Sequence, residues 1–216
     1  MRKINKSANI PKTLQNAPTP NNPDEVKKDI YRAKDVREQL MKDQHRKCAY
    51  CEKFMETSYN DVDHYRPKTK YYWLGHSWDN LLYSCPICNR SNKNDKVPLE
   101  DENTRCNTTH DNIEQEKTLL INPYIDDPLN HIKFNEHIIV GIDNKGKTTE
   151  KELKLNRPEL RFARKQQYER YEIMIKTKKI AETIYNQELM DLCNQSIAEM
   201  KSMDSPFSGM LIGILE

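Results

Sequence analysis

Apolar positions return at a helical period in two stretches of the chain. Val26, Ile30, Ala33, Val36 and Leu40 recur every three or four residues, predicting an N-terminal helix over 23–46. Asn22-Pro23-Asp24-Glu25 marks its start: a capping Asn, a Pro in the first helical position, and a Glu at capping-box spacing. The second stretch carries Leu160, Ala163, Tyr168, Tyr171 and Ile175 and follows Asn156-Arg157-Pro158-Glu159, which repeats the cap signature. It predicts a long helix that continues, with one break, towards Met200, within a helical region over 151–216. Pro206 stops the pattern, and the apolar tail around Phe207 and Leu211 is too short to span a membrane. Between these stretches, Leu119–Ile121 and His137–Gly141 predict short strands and Asn144-Lys145-Gly146 a turn, so 101–150 reads as loop with short strands. Residues 1–22, polar and bearing Pro11, Pro18 and Pro20, predict an extended arm. Residues 47–100 carry the chemistry.

Of the 216 residues, 36% are hydrophobic and 31% charged, which allows a modest core under a wet surface. The formal net charge of +2 makes no case for nucleic-acid binding, but charge is unevenly distributed. From Lys151 to Tyr185 there are ten Lys and Arg against five Glu. No segment resembles a membrane span or a signal-peptide core, and a cytoplasmic chain is expected.

Six cysteines do not make a disulfide scaffold at this length. Four fall in two C-x-x-C pairs, Cys48/Cys51 and Cys85/Cys88, while Cys106 and Cys193 are expected as free thiols. Each pair puts two thiolates in one tight turn, and two such knuckles complete a four-sulfur shell suited to structural zinc. A redox C-x-x-C would open a helix in a βαβ setting, which is not seen here. A shell closed by four thiolates leaves no open position for catalysis.

Residues 52–84, between the knuckles, hold Asp61-Val62-Asp63-His64-Tyr65-Arg66-Pro67-Lys68 and then Trp78-Asp79-Asn80-Leu81. Cys85-Pro86-Ile87-Cys88-Asn89-Arg90-Ser91-Asn92-Lys93 follows. Phosphodiester hydrolysis needs a nucleophile, a charge sink and a protonated leaving group. A neutral His takes a proton from water near pH 7, and carboxylate and carboxamide oxygens suit Mg2+. A lone Asp-His pair is usually a surface pair or a structural hydrogen bond; its frame is what distinguishes this one. Asp61 alternates with Asp63 and reads either as a supporting acid behind the metal ligands or, the more ordinary case, as a solvated residue. His45, His76, His110, His131 and His137 carry no motif.

This order of an acid–His pair, a loop Asn and a helix-opening Asn resembles the HNH nuclease family. The resemblance implies an α+β, mainly helical fold: a zinc-stapled ββα-metal module flanked by an N-terminal helix and long C-terminal helices. It implies His64 as general base, Asp63 and Asn89 as ligands of a catalytic Mg2+ or Mn2+, and Asn80 as the residue holding the loop whose backbone carbonyl orients His64. Arg66, Lys68, Arg90 and Lys93 are the expected backbone-phosphate contacts. Tyr71, Tyr72 and Trp73 either stack on bases or pack the core.

Cys48-Ala49-Tyr50-Cys51-Glu52, Asp63–Lys68, Trp78–Leu81, Asn122-Pro123 with Asp126-Asp127-Pro128, and Leu155–Leu160 are together similar to the PtuB family, the HNH subunits of Septu antiphage systems. That resemblance implies an ABC-type ATPase partner of the PtuA type, a nucleic-acid substrate and no membrane. In a retron setting it adds a reverse transcriptase with its single-stranded DNA. The alternatives are a free-standing restriction-type HNH endonuclease and a non-catalytic zinc adaptor that binds nucleic acid or a partner.

Overall fold

A computed structural model describes residues 1–55 and 60–214. The predicted N-terminal helix is three pieces. Asn22 caps as expected, its Oδ1 accepting from the Asp24 and Glu25 amides, but the turn it opens ends at Glu25. Ahead of it lies a short helix, α1 (Lys12–Gln15); after it come α2 (Lys28–Tyr31) and α3 (Lys34–Asp43). Only α3 is long enough to bury a face, and Val36 and Leu40 provide it. The chain before α1 lies on the protein rather than away from it. Met1 and Ile4 are buried, and Lys6 Nζ sits 4.1 Å from the centres of both the Trp78 and Tyr124 rings.

Strands β1 (Asp61–His64) and β2 (Leu81–Ser84) form an antiparallel pair in which Asp63 faces Leu82 and His64 faces Leu81. The helical segment Ile87–Lys93 follows β2 and closes a ββα unit. Gln44 ties α3 to this unit. Its Oε1 accepts from the Tyr83 amide at 2.8 Å and its Nε2 donates to the Tyr83 carbonyl, so a side chain satisfies the open edge of β2.

A second antiparallel pair, β3 (Ile132–Asn135) and β4 (Ile138–Gly141), precedes α4 (Asn144–Glu152). The predicted turn at Asn144–Gly146 is instead the first turn of α4. Asp143 caps it, Oδ1 accepting from the Gly146 amide at 2.7 Å, which converts a turn signal into a helix start. Leu119–Ile121 is not a strand. Leu120 and Ile121 are fully buried beside α4, and Ile121 donates its amide to the Thr149 hydroxyl.

The long helix is present as α5 (Pro158–Thr183), and α6 (Gln187–Lys201) folds back along it with Ala181 and Cys193 buried. Arg157, not Asn156, occupies the cap position of α5. Asn156 bonds the Ile139 amide, the Ile139 carbonyl and Glu150 instead, so tertiary contacts overrode the local signature. The apolar tail forms α7 (Ser208–Ile212), and the Gly213 carbonyl accepts from the Phe134 amide. No helix among the described residues is long and apolar enough to cross a membrane.

Candidate active site

The four knuckle cysteines come together. Their sulfurs all lie within 4.8 Å of one another and every one is buried. Cys51 and Cys85 sulfurs are 3.9 Å apart, and a tetrahedral shell with Zn–S bonds of about 2.3 Å separates its sulfurs by about 3.8 Å. The Cys85 amide points at the Cys48 sulfur and the Cys88 amide at the Cys85 sulfur, each at 3.4 Å, as donors stabilising thiolates should. Arg157 adds a guanidinium 3.6 Å from the Cys88 sulfur. Burial opposes its charge, but the Cys88 and Cys51 sulfurs outweigh burial and raise its pKa. The cysteines thus fit a metal by donor type, spacing and surrounding hydrogen bonds. The cluster joins the start of the unit to its helix, so β1 and β2 are held between its two knuckles.

All four residues of β1 are buried, and alternation separates their tasks. Asp61 and Asp63 face the helix that opens at Ile87; His64 faces away. His64 Nε2 lies 2.9 Å from the Gly75 carbonyl oxygen. A carbonyl only accepts, so Nε2 carries the hydrogen and Nδ1 keeps its lone pair. Burial lowers the His64 pKa to about 4, which keeps the ring neutral at pH 7. Tyr31 packs against the imidazole at 4.6 Å between ring centres, 70° from parallel.

Asn80 pins the loop that carries Gly75. Its Oδ1 accepts from the Arg66 amide at 2.8 Å, and its Nδ2 donates to the Arg66 and Leu74 carbonyls. Leu74 and Gly75 are adjacent, so the amide that holds one carbonyl positions the next.

The helical segment Ile87–Lys93 is of π type, with the Asn94 amide donating to the Asn89 carbonyl. In so wide a turn, residues four to five apart share a face, and Asn89 and Lys93 both address β1. Asn89 Nδ2 donates to Asp61 at 3.1 Å, and Lys93 Nζ reaches Asp63 at 3.2 Å and the His64 carbonyl at 2.7 Å. The acid beside Asn89 is therefore Asp61, two residues upstream of the expected one. Asp61 is not solvated: it is fully buried and bonded by Arg90, Asn89 and Arg32. Asp63 also accepts from the Tyr50 hydroxyl at 2.5 Å, and burial raises its pKa against the pull of Lys93. Two carboxylates and a carboxamide on adjoining elements are the hard oxygen donors a divalent cation takes, and they fit one by chemistry.

Two of the expected phosphate contacts are not surface cations. Lys93 has no exposed side-chain area, and Arg66 turns inward to pair with Glu116. Burying a charge requires a partner: Lys93 finds the motif's own Asp63, whereas Arg66 finds Glu116, which lies beyond any motif. Arg90 is 62% exposed while its fork holds Asp61, and Lys68 sits 5.8 Å from the Tyr31 ring. Tyr71 belongs to the core, fully buried with its hydroxyl on Glu116; Tyr72 and Trp73 are half-buried and pack edge to face. His76 is buried and bridges the Pro18 carbonyl and the Lys27 amide. His45 pairs with Asp204 and His131 with Asp143, each away from β1. The motif order does not point to Tyr31 or Arg32, whereas the alternation of Asp61 with Asp63 was a usable signal.

Two antiparallel strands and a helix, stapled by four thiols around a buried His–acid pair, define a ββα-metal unit, and residues 48–95 match the HNH endonuclease family model. The chain carries an HNH endonuclease domain. It is similar to the Septu protein PtuB of Bacillus mycoides (strain KBAB4), at 36% identity over 141 residues, 59% of this chain and 48% of the relative. It is also similar to the Septu protein PtuB of Bacillus thuringiensis, at 38% identity over 119 residues, 54% of this chain and 39% of the relative. The chain spans about half the length, or less, of these curated relatives.

Proposed function

We propose that this protein is a metal-dependent nuclease in which His64 is the general base. The observation that carries this reading is the neutral His64 ring, tied through Nε2 to the Gly75 carbonyl and borne on the same strand as Asp61 and Asp63. His64 Nδ1 takes a proton from the attacking water, and Asn80 holds the loop that fixes the ring. Asp63 and Asn89, joined by Asp61, are the residues that would hold Mg2+ or Mn2+. Such an ion supplies a Lewis acid for the phosphate and the leaving oxygen. Zn2+ on Cys48, Cys51, Cys85 and Cys88 is structural in this reading. Lys68 and Arg90 are the backbone-phosphate contacts at the rim.

The similarity to Septu proteins supports a role as effector subunit of an antiphage complex, working in the cytoplasm under a PtuA-type ABC ATPase, or with a retron reverse transcriptase. The test is cleavage of DNA and RNA with Mg2+ or Mn2+, with and without such an ATPase. His64→Ala should lose about 10^2–10^4-fold in rate and keep its metal content and melting temperature. Equal cleavage by both proteins would sink the proposal.

A further inference from the structure

We infer that Arg32, which lies outside the segment matched to the nuclease family, binds a non-bridging phosphate oxygen of the nucleic acid next to His64. The inference rests on the nuclease reading and adds a residue to it.

Three cations meet two carboxylates at β1. Lys93 serves Asp63, and Arg90 serves Asp61 through two short bonds, its Nε at 2.7 Å from Oδ2 and its Nη2 at 2.5 Å from Oδ1. That fork is the strong geometry for a carboxylate and leaves Asp61 neutralised. Arg32 reaches the same Asp61 by one long contact, Nη2 at 3.3 Å from Oδ1. Its Nε is buried and has no hydrogen-bond partner among the described residues. Leaving such a donor unmade is costly, and a surplus guanidinium beside a neutral base attracts an anion.

Its placement selects which anion. Arg32 ends α2, directly after Tyr31, whose ring packs on the His64 imidazole and is itself buried. The guanidinium therefore starts from a fixed backbone position beside the base, with 29% of its side chain exposed. A phosphodiester presented to His64 offers the single negative charge and the paired oxygens that an Arg fork matches. Arg90 has only its outer Nη1 left for a phosphate at the rim, because its Nε and Nη2 are already on Asp61.

The test is binding, so that it does not depend on cleavage. A fluorescent DNA duplex of about 20 base pairs is titrated with the full chain in a His64→Ala background, from about 50 to 200 mM salt. Arg32→Gln should weaken binding about tenfold at the lower salt and reduce the log–log salt slope by about one. Arg32→Lys keeps the charge but loses the fork, so it should retain the slope and lose only a few-fold in affinity. An unchanged slope in Arg32→Gln, whether or not affinity falls, overturns the inference, because a purely structural Arg releases no counterion. A parent protein that does not bind the duplex overturns it as well. Cleavage by His64→Ala would defeat the nuclease mechanism instead, and would show as a shortened probe.

Discussion

In the cysteine-framed unit, Asp61, Asp63 and Lys93 are buried and each charge touches its opposite. In the α5–α6 hairpin, Lys165, Glu169 and Lys176 are exposed and Glu172 is half-buried, and among the described residues their ion pairs run to neighbours along one helix. Both regions are rich in charge, but it does different work. Exposed pairs at this spacing contribute a few tenths of a kcal/mol and are screened by salt. Buried pairs set geometry: Lys93 grips the Asp63 carboxylate and the His64 carbonyl at once, so it fixes the strand residue that presents the imidazole. The hairpin's apolar seam is thin by comparison, with Ala181 and Cys193 at its centre while Ile180, Ile184 and Tyr185 stay exposed.

The largest effect should come from the cysteine frame. If zinc is structural, Cys51→Ser removes one of four ligands and should cost a large part of the roughly 10 kcal/mol that a whole structural zinc contributes to folding. Metal analysis and limited proteolysis would show a metal-poor, rapidly digested unit. A soluble Cys51→Ser protein with full metal content would contradict this.

A matched pair of substitutions addresses the contrast in charge directly. Lys93→Met strands the buried Asp63 carboxylate and should cost about 3–5 kcal/mol, whereas Lys176→Met in the hairpin should cost below about 0.5 kcal/mol. Denaturant midpoints measure both, and similar losses would show that burial does not separate the two regions.

A smaller, graded effect follows from His64, which burial holds at a pKa of about 4. Between pH 6.5 and 4 the unfolded chain binds the proton that folded His64 refuses. Stability should therefore fall as pH drops through this window, by about 1.4 kcal/mol per pH unit, and recover above it. The loss should be absent in His64→Ala. Parallel pH profiles of unfolding for the two proteins would refute this low pKa if they overlay.

Much of the cysteine-framed unit is legible in the sequence alone, because its determinants are local and chemically narrow. A C-x-x-C pair closes a turn by itself, and the alternation of β1 and the order of His64, Asn80 and Asn89 are carried by short spacings. The helical period of α5 was equally plain, since an amphipathic pattern needs no partner to be recognised. What only the tertiary structure decided are the pairings. Asn89 meets Asp61 because the helical segment opening at the second knuckle turns its carboxamide onto β1. Arg66 and Lys93 leave the surface because Glu116 and Asp63 wait inside. Asn156 abandons its cap for β4, and Tyr31 and Arg32 reach the site from a segment that sequence order sets apart from it. The reason is the same in each case. A buried polar group goes where its hydrogen bonds and charge are satisfied, and that partner is set by the folded chain rather than by near neighbours in sequence.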